Sequence, residues 1–187
     1  MSLPVRPRVA RGSACEDEPR PAAQPRAAGA GILLGPMSER VLVSACLVGT
    51  YCRYDARTNF DHELLHRLVA EGCTIVPFCP EEAGGLGTPR PAASLSGGGA
   101  AEVLDGQARV LDIHGRDVTD EFLRGARAAL ETCRTQGIAR AYLKERSPSC
   151  GVCATHIDEV QVAGPGLTTA LLQRHGVECT PIEGRKA

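Results

Sequence analysis

The sequence predicts an α/β fold: a single Rossmann-like domain with a mostly parallel sheet, helices on both faces and a hairpin insertion. Three observations carry that expectation. Short apolar runs recur at Val41-Leu42-Val43-Ser44-Ala45, Thr74-Ile75-Val76-Pro77-Phe78 and Ala139-Arg140-Ala141-Tyr142-Leu143, and runs of that length read as buried strands. Segments of helical period separate them, and strands alternating with helices indicate a parallel sheet. Each run also gives way to a turn that carries a cysteine: Cys46, Cys79 and, in Ser147-Pro148-Ser149-Cys150-Gly151, Cys150. In such a sheet the strand ends converge on one edge, where ligands bind.

The elements follow in order. Residues 1–36 are rich in Pro, Ala, Gly and Arg and show no apolar periodicity before Ile32-Leu33-Leu34. Such a stretch buries too little surface to offset its ordering entropy, so a disordered extension is expected there. Met37-Ser38-Glu39-Arg40-Val41 reads as a natural protein start, with the upstream stretch an over-extended reading frame and residues 37–187 the domain. A strand over 41–46 leads to a helix near 61–71, capped by Asp61, with Leu64, Leu65, Leu68 and Val69 on its apolar face and Gly72 at its end. A strand over 74–79 is followed by a long turn-rich stretch, Pro80 to Gly99, of the kind that carries function. Residues 102–113 read as a hairpin around Asp105-Gly106. A helix over about 120–136, capped by Thr119 or Asp117, presents Phe122, Leu123, Ala126, Ala129 and Leu130. A strand over 138–143, a helix near 167–175 and a strand near 177–182 complete the chain.

Composition narrows the function classes. A net charge of −1 gives no basic stripe for nucleic acid, and 3% aromatic content with no Trp leaves little for stacking single strands. Direct RNA binding is therefore not expected. No apolar run is long enough to span a bilayer. Nine cysteines form an odd count without a secretory signal, which points to a reducing, cytoplasmic setting and to metal binding or catalysis.

Three segments carry chemistry. In the first, Cys46 is followed by Cys52, Arg53 and Asp55. Taken alone, Cys46 reads as a buried core cysteine, and Arg53 either holds an anion or pairs with Asp55. In the second, Pro80 breaks the strand after Cys79, Glu81 lies two residues on as a candidate general base, and Gly84-Gly85 allows close backbone approach. In the third, Lys144, Ser147 and Cys150 surround a proline turn. Cys150 and Cys153 also form a Cys-x-x-Cys pair, which in isolation fits a redox centre or half a zinc site. His62 and His66 read as a solvated helix face, while Cys73, Cys133 and Cys179 read as packing. Gly164-Pro165-Gly166 places a helix start where it could meet an anion.

Together these segments resemble the 2-thiouracil desulfidase family, long catalogued as a domain of unknown function. The resemblance lies in Ser44–Gly49, Arg53–Asp55, Cys79–Glu81, Gly84–Leu86, Pro89-Arg90, Asp117–Thr119, Leu143–Gly151 and Gly166–Leu172, in the family's order. It implies a [4Fe–4S] cluster held by Cys46, Cys79 and Cys150, with Cys52 and Cys153 outside the ligand set. Three thiolates leave one iron without a protein ligand, open to a soft substrate atom. The implied substrate is a small thiolated pyrimidine, free base or nucleotide. Its sulfur would be removed hydrolytically and released as hydrogen sulfide without net redox change. Glu81 and Ser147 match the family's catalytic acidic and hydroxyl residues; Arg53, Asp55 and Lys144 are candidates for positioning the substrate. The chain departs from the pattern at Ala56, where the family has Gly, and at Thr155-His156-Ile157-Asp158, where it favours an Ile-Tyr-Asp-Gly turn. Two other classes remain open. One is a structural or sensing metal module without turnover, and the other is a thiol oxidoreductase using Cys150 and Cys153.

Overall fold

A computed structural model describes residues 38–184; the expectation of a disordered extension over 1–36 lies outside them. The elements are β1 (Arg40–Ser44), α1 (His62–Ala70), β2 (Thr74–Phe78), α2 (Pro80–Ala83), β3 (Ala93–Ser96), α3 (Ala100–Leu104) and β4 (Arg109–Asp112), followed by α4 (Thr119–Gln136), β5 (Arg140–Lys144), β6 (Ala154–Ile157), β7 (Val160–Ala163), α5 (Leu167–Arg174) and β8 (Glu178–Ile182). A short 3-10 turn, Ala45–Val48, follows β1. The fold is α/β, as the alternation of strand and helix patterns predicts.

The main sheet has the order β2-β1-β5-β8, and every pairing in it is parallel. A central parallel strand is covered on both faces, which is why the middle of β1 is apolar: Val41, Leu42 and Val43 are at most 1% exposed. Successive residues of a strand point to opposite faces. Val41 and Val43 accordingly meet Leu64 and Leu68 of α1, while Leu42 meets Ala129 and Leu130 of α4 and Leu172 of α5. Burial of each such aliphatic side chain contributes about 1.5–3 kcal/mol. Asp61 caps α1 as expected, its carboxylate accepting the Leu64 N–H at 3.0 Å. Val69 departs from the expected apolar face and is 63% exposed, because α1 turns only its Leu64–Leu68 side to the sheet.

A second sheet, β4-β3-β6-β7, lies outside what the sequence patterns predict. It is mixed: β3 pairs antiparallel with β4, β6 antiparallel with β7, and β3 meets β6 in parallel through Leu95 and Ile157. The expected hairpin over 102–113 is corrected here. Its first arm is α3, and β4 pairs instead with β3, inside the stretch expected to lack regular structure. The reason is local. Ala100-Ala101 are strong helix formers, Glu102 accepts the Gly99 N–H at 2.9 Å, and Ala100 and Val103, three apart on one face, are both buried.

Helices α4 and α5 bridge the two cores. Phe122 and Ala126 of α4 join Leu95, Val110 and Leu167 beneath the second sheet, whereas Ala129, Leu130 and Cys133 lie on the main one. The residue before α4 is Val118; Asp117 acts from one position earlier, accepting the Thr119 N–H at 3.0 Å. Helix α2 crosses α4 backbone to backbone. A Cβ on Gly84 would stand 2.0 Å from the Glu121 carbonyl oxygen, and one on Gly125 1.9 Å from that of Pro80. This contact holds the residues at the start of α2 in place.

Candidate functional site

Strands β2, β1 and β5 are neighbours and run in one direction, so their C-terminal ends open together on a cleft of about 400 Å³. Cys46, Cys79, Cys150, Glu81, Ser147, Arg53 and Lys144 all line it. The opposite wall comes from the second sheet and its connections, through Ser94, Ile113, His156 and Glu159. Asp55 does not line the cleft.

Each cysteine is set by its own turn. Cys46 sits in the 3-10 turn after β1, and its carbonyl accepts the Asn59 N–H at 2.9 Å and the Thr58 hydroxyl at 2.7 Å. Cys79 occupies the N-cap of α2, with Pro80 at the first helical position, where a missing N–H costs nothing. Cys150 follows the Ser-Pro-Ser turn. There the Ser147 Oγ accepts the N–H groups of Ser149 at 3.2 Å and Cys150 at 3.1 Å. The start of α5 is spent on the same turn: Leu167 and Thr168 donate to the Pro148 and Ser149 carbonyls at 2.8 and 3.0 Å. Gly166 makes this possible, since a Cβ there would meet the Ser147 and Ser149 carbonyl oxygens at 2.6 Å. The helix start therefore serves the turn and offers no anion site.

Cys52, a fourth thiol, reaches the same cleft. A hydrogen bond with Cys46, then burial and the Cys46 charge, push the Cys52 thiol up to about 12 against the pull of Cys79. Cys79 is raised as well, first by Cys52 and then by burial. Burial carries the Cys150 thiol up to about 12, with Ser44 acting the other way. Buried, mutually close thiols resist ionisation on their own, and a metal that binds them deprotonates them outright. Soft sulfur donors gathered on one sheet edge fit an iron–sulfur or other thiophilic metal centre.

The charged groups are arranged with equal care. Arg90 donates from Nε to one oxygen of Glu81, Oε2, at 2.7 Å, and its Nη2 forms an ion pair with the same oxygen at 2.7 Å. The Arg90 and Glu81 side chains are only 6% and 17% exposed. Nη2 also reaches the Cys52 carbonyl at 2.9 Å, so one guanidinium ties the Cys52 loop to the start of α2. Arg53 is gripped by Asp55 at 3.0 and 2.9 Å and by Asn59 at 2.7 Å, which makes Asp55 a positioning residue for Arg53. Lys144 is a partly buried cation whose Nζ donates to the Glu145 carbonyl at 2.6 Å. Burial and the nearby Arg146 charge lower its pKa.

Arg90 and Glu145 are the participants that sequence reasoning missed. The Glu145 carboxylate is buried and accepts the N–H groups of Val152 at 2.8 Å, Cys153 at 2.9 Å and Ala154, holding the chain just beyond Cys150. For Arg90 the one available signal is the Pro89-Arg90 pair.

An α/β scaffold whose parallel strand ends present clustered thiols beside a clamped carboxylate defines a metal-centre enzyme class. A family model described as 2-thiouracil desulfurase matches residues 41–183. The chain belongs to that family. It is 36% identical over 139 residues to the uncharacterized protein YbbK of Bacillus subtilis (strain 168), across 73% of this chain and 91% of that protein. It is also similar to a solved structure, the [4Fe-4S]-dependent thiouracil desulfidase TudS, with 45% identity and a TM-score of 0.66 over 77% of this chain and 91% of that one.

Proposed function

We propose that this protein is a [4Fe–4S]-dependent desulfidase that hydrolyses the thiocarbonyl of 2-thiouracil or a related thiolated pyrimidine, base or nucleotide. The observation that carries the reading is the convergence of Cys46, Cys79, Cys150, Glu81 and Ser147 on one cleft. Family membership and the similarity to a cluster-dependent desulfidase support it. Cys46, Cys79 and Cys150 would hold the cluster, which supplies a Lewis-acidic iron without a protein ligand for the substrate sulfur.

The remaining chemistry falls to this chain's own side chains. Glu81 accepts a proton from the attacking water, and its ion pair with Arg90 fixes the carboxylate at the edge of the cleft. Both backbone N–H groups at Ser147 donate to its oxygen, so the Ser147 hydroxyl hydrogen is left to donate, and Ser147 acts as hydrogen-bond or proton donor to the substrate. Arg53 and Lys144 position the pyrimidine or its substituents. One carbon–oxygen bond forms, the carbon–sulfur bond breaks, and sulfur leaves as hydrogen sulfide with no change in electron count.

A redox role for Cys150 and Cys153 fits less well, because reactive thiols have depressed pKa values and burial pushes Cys150 upward. Among the described residues no helix is long and apolar enough to cross a membrane.

The test is anaerobic reconstitution with iron and sulfide assays, followed by incubation with 2-thiouracil and 4-thiouridine monophosphate. Sulfide release is expected from at least one of them. Cys46→Ser, Cys79→Ser and Cys150→Ser are each expected to lose the cluster, whereas Cys153→Ser keeps both cluster and activity. A reconstituted cluster that frees no sulfide from either compound would overturn the substrate assignment, and failure to incorporate iron would overturn the cofactor.

A further inference from the structure

Of the four cysteines that line the cleft, Cys52 is the one the chemistry above leaves unused. It is 2% exposed, and the Cys79 thiol donates to its carbonyl at 3.7 Å. The Cys52 Sγ, the Cys79 Sγ and a Glu82 carboxylate oxygen all lie within 4.8 Å of one another. Among the described residues no other trio of His, Cys, Asp or Glu donors is so closely spaced. Glu82 is oriented by Thr88, whose hydroxyl donates to its Oε1 at 2.7 Å. Three donors at that spacing can share a single ion, whereas a cluster of several atoms needs thiolates set more widely apart. Two thiolates and a carboxylate form a recognised donor set for a zinc-class ion, with the fourth tetrahedral position left to water or to the neighbouring Cys46.

We propose that the cluster-free protein binds one thiophilic divalent cation through Cys52, Cys79 and Glu82, and that this ion and the cluster exclude each other because both require Cys79. The exclusion rests on the cluster reading given under Proposed function; the ion site does not. The cleft would then have two alternative metal states, one built on Cys46, Cys79 and Cys150 and one on Cys52, Cys79 and Glu82. Zinc bound in the second state blocks assembly of the first.

The experiment titrates Co2+ into the metal-free full chain under anaerobic conditions, following sulfur-to-cobalt charge transfer and the tetrahedral d–d bands. One tight equivalent is expected. Cys150→Ser should bind it as the native chain does, whereas Cys52→Ser and Glu82→Gln should each raise the Kd by about tenfold or more. Glu82 is exposed, so its amide variant tests the site without disturbing the core. Preloading with Zn2+ should delay cluster reconstitution in the native chain and not in Cys52→Ser. Cobalt affinity that falls equally in Cys150→Ser, or that ignores both Cys52→Ser and Glu82→Gln, overturns the ion site. Undelayed reconstitution of the zinc-loaded native chain overturns the exclusion. If cobalt binds as expected and no cluster ever forms, the ion site is supported and the cluster reading alone falls.

Discussion

Replacing Arg90 by Met removes the one cation that pairs with Glu81 among the described residues, and the cost can be worked from the contacts. Arg90 donates to Glu81 Oε2 at 2.7 Å and pairs with it through Nη2 at 2.7 Å, and it donates to the Cys52 carbonyl at 2.9 Å and to the Gly87 carbonyl and Thr88 hydroxyl at 3.0 Å each. The pair is largely buried, so the single substitution strands a carboxylate in a site where water compensates poorly. Breaking one side of such a pair costs about 3–5 kcal/mol. With a urea slope of about 1.5–2 kcal/mol per molar, the unfolding midpoint should fall by about 2 M. The double variant Arg90→Met with Glu81→Met removes both charges, and apolar replacement of a whole buried pair is often neutral or better. It should return to within about 1–2 kcal/mol of the native chain, the Cys52 carbonyl and Thr88 contacts remaining lost. Urea melts of the four chains in the cycle give the coupling directly. Activity should be lost in both variants, because neither keeps a clamped carboxylate. A single variant that loses less than about 1 kcal/mol would refute the reasoning, since the pair would then be behaving as a solvated surface bridge.

Three further outcomes follow from the same geometry. Ser147→Ala leaves the Ser149 and Cys150 N–H groups without their acceptor. It should cost about 1–2 kcal/mol in a urea melt and at least about 100-fold in sulfide release, with iron content retained. Ala56 holds a left-handed φ of 53°. Ala56→Gly should relieve about 1–2 kcal/mol of backbone cost and return about 0.5–1 through unfolded-state entropy, a net rise of about 2 °C in Tm by calorimetry. The Arg53 hydrogen bonds hold the Asp55 carboxyl below its ordinary 3.8. A depressed carboxyl contributes stability that is fully present above its unfolded pKa and is lost as pH falls through the folded one. The stability gap between the native chain and Asp55→Asn should therefore be constant above about pH 5 and close at lower pH; a gap unchanged at pH 3 would contradict the pairing.

The main sheet was legible because β1, β2 and β5 each carry a short apolar centre, Val41-Leu42-Val43, Ile75-Val76 and Ala141-Tyr142-Leu143, and the cysteines lie just beyond their ends. The second sheet was not. β3 is Ala-Ser-Leu-Ser and β6 is Ala-Thr-His-Ile, four residues each. Their burial comes from Phe122 and Leu167, far along the chain. The β6–β7 turn hid for a different reason. Asp158 and Glu159 both have positive φ, 48° and 65°, a conformation usually announced by Asp-Gly or Asn-Gly, and here Glu stands in the glycine position. At the site, the strand-end positions of Cys46, Cys79 and Cys150 were legible locally, whereas their role as ligands and the roles of Glu81 and Ser147 are what the family resemblance implies. Arg90 and Glu145 work across loops, on partners nine residues or a whole turn away, and no local pattern encodes that.

Those two residues change how the cleft is to be understood. Each cysteine-bearing loop is tied by one carboxylate. Asp55 grips Arg53 beside Cys46 and Cys52, Glu81 grips Arg90 at the start of α2 beside Cys79, and Glu145 gathers three backbone N–H groups just beyond Cys150. Loops at the ends of strands are the least restrained part of an α/β sheet, and a centre built from thiolates of three different loops requires their separation to be fixed before the metal arrives. Two of the three anchors are satisfied within the protein. Glu81 alone among them meets its cation through a single oxygen, Oε2, leaving the other for a water molecule. Under the proposed mechanism the residue that braces the Cys79 loop is also the proton acceptor, so mutating Glu81 alone would not separate bracing from chemistry. Arg90 separates them: restoring a cation with Arg90→Lys should recover part of the stability through the point charge. It should recover less of the activity, because an ammonium lacks the planar fork that holds Oε2 and the Cys52 carbonyl together.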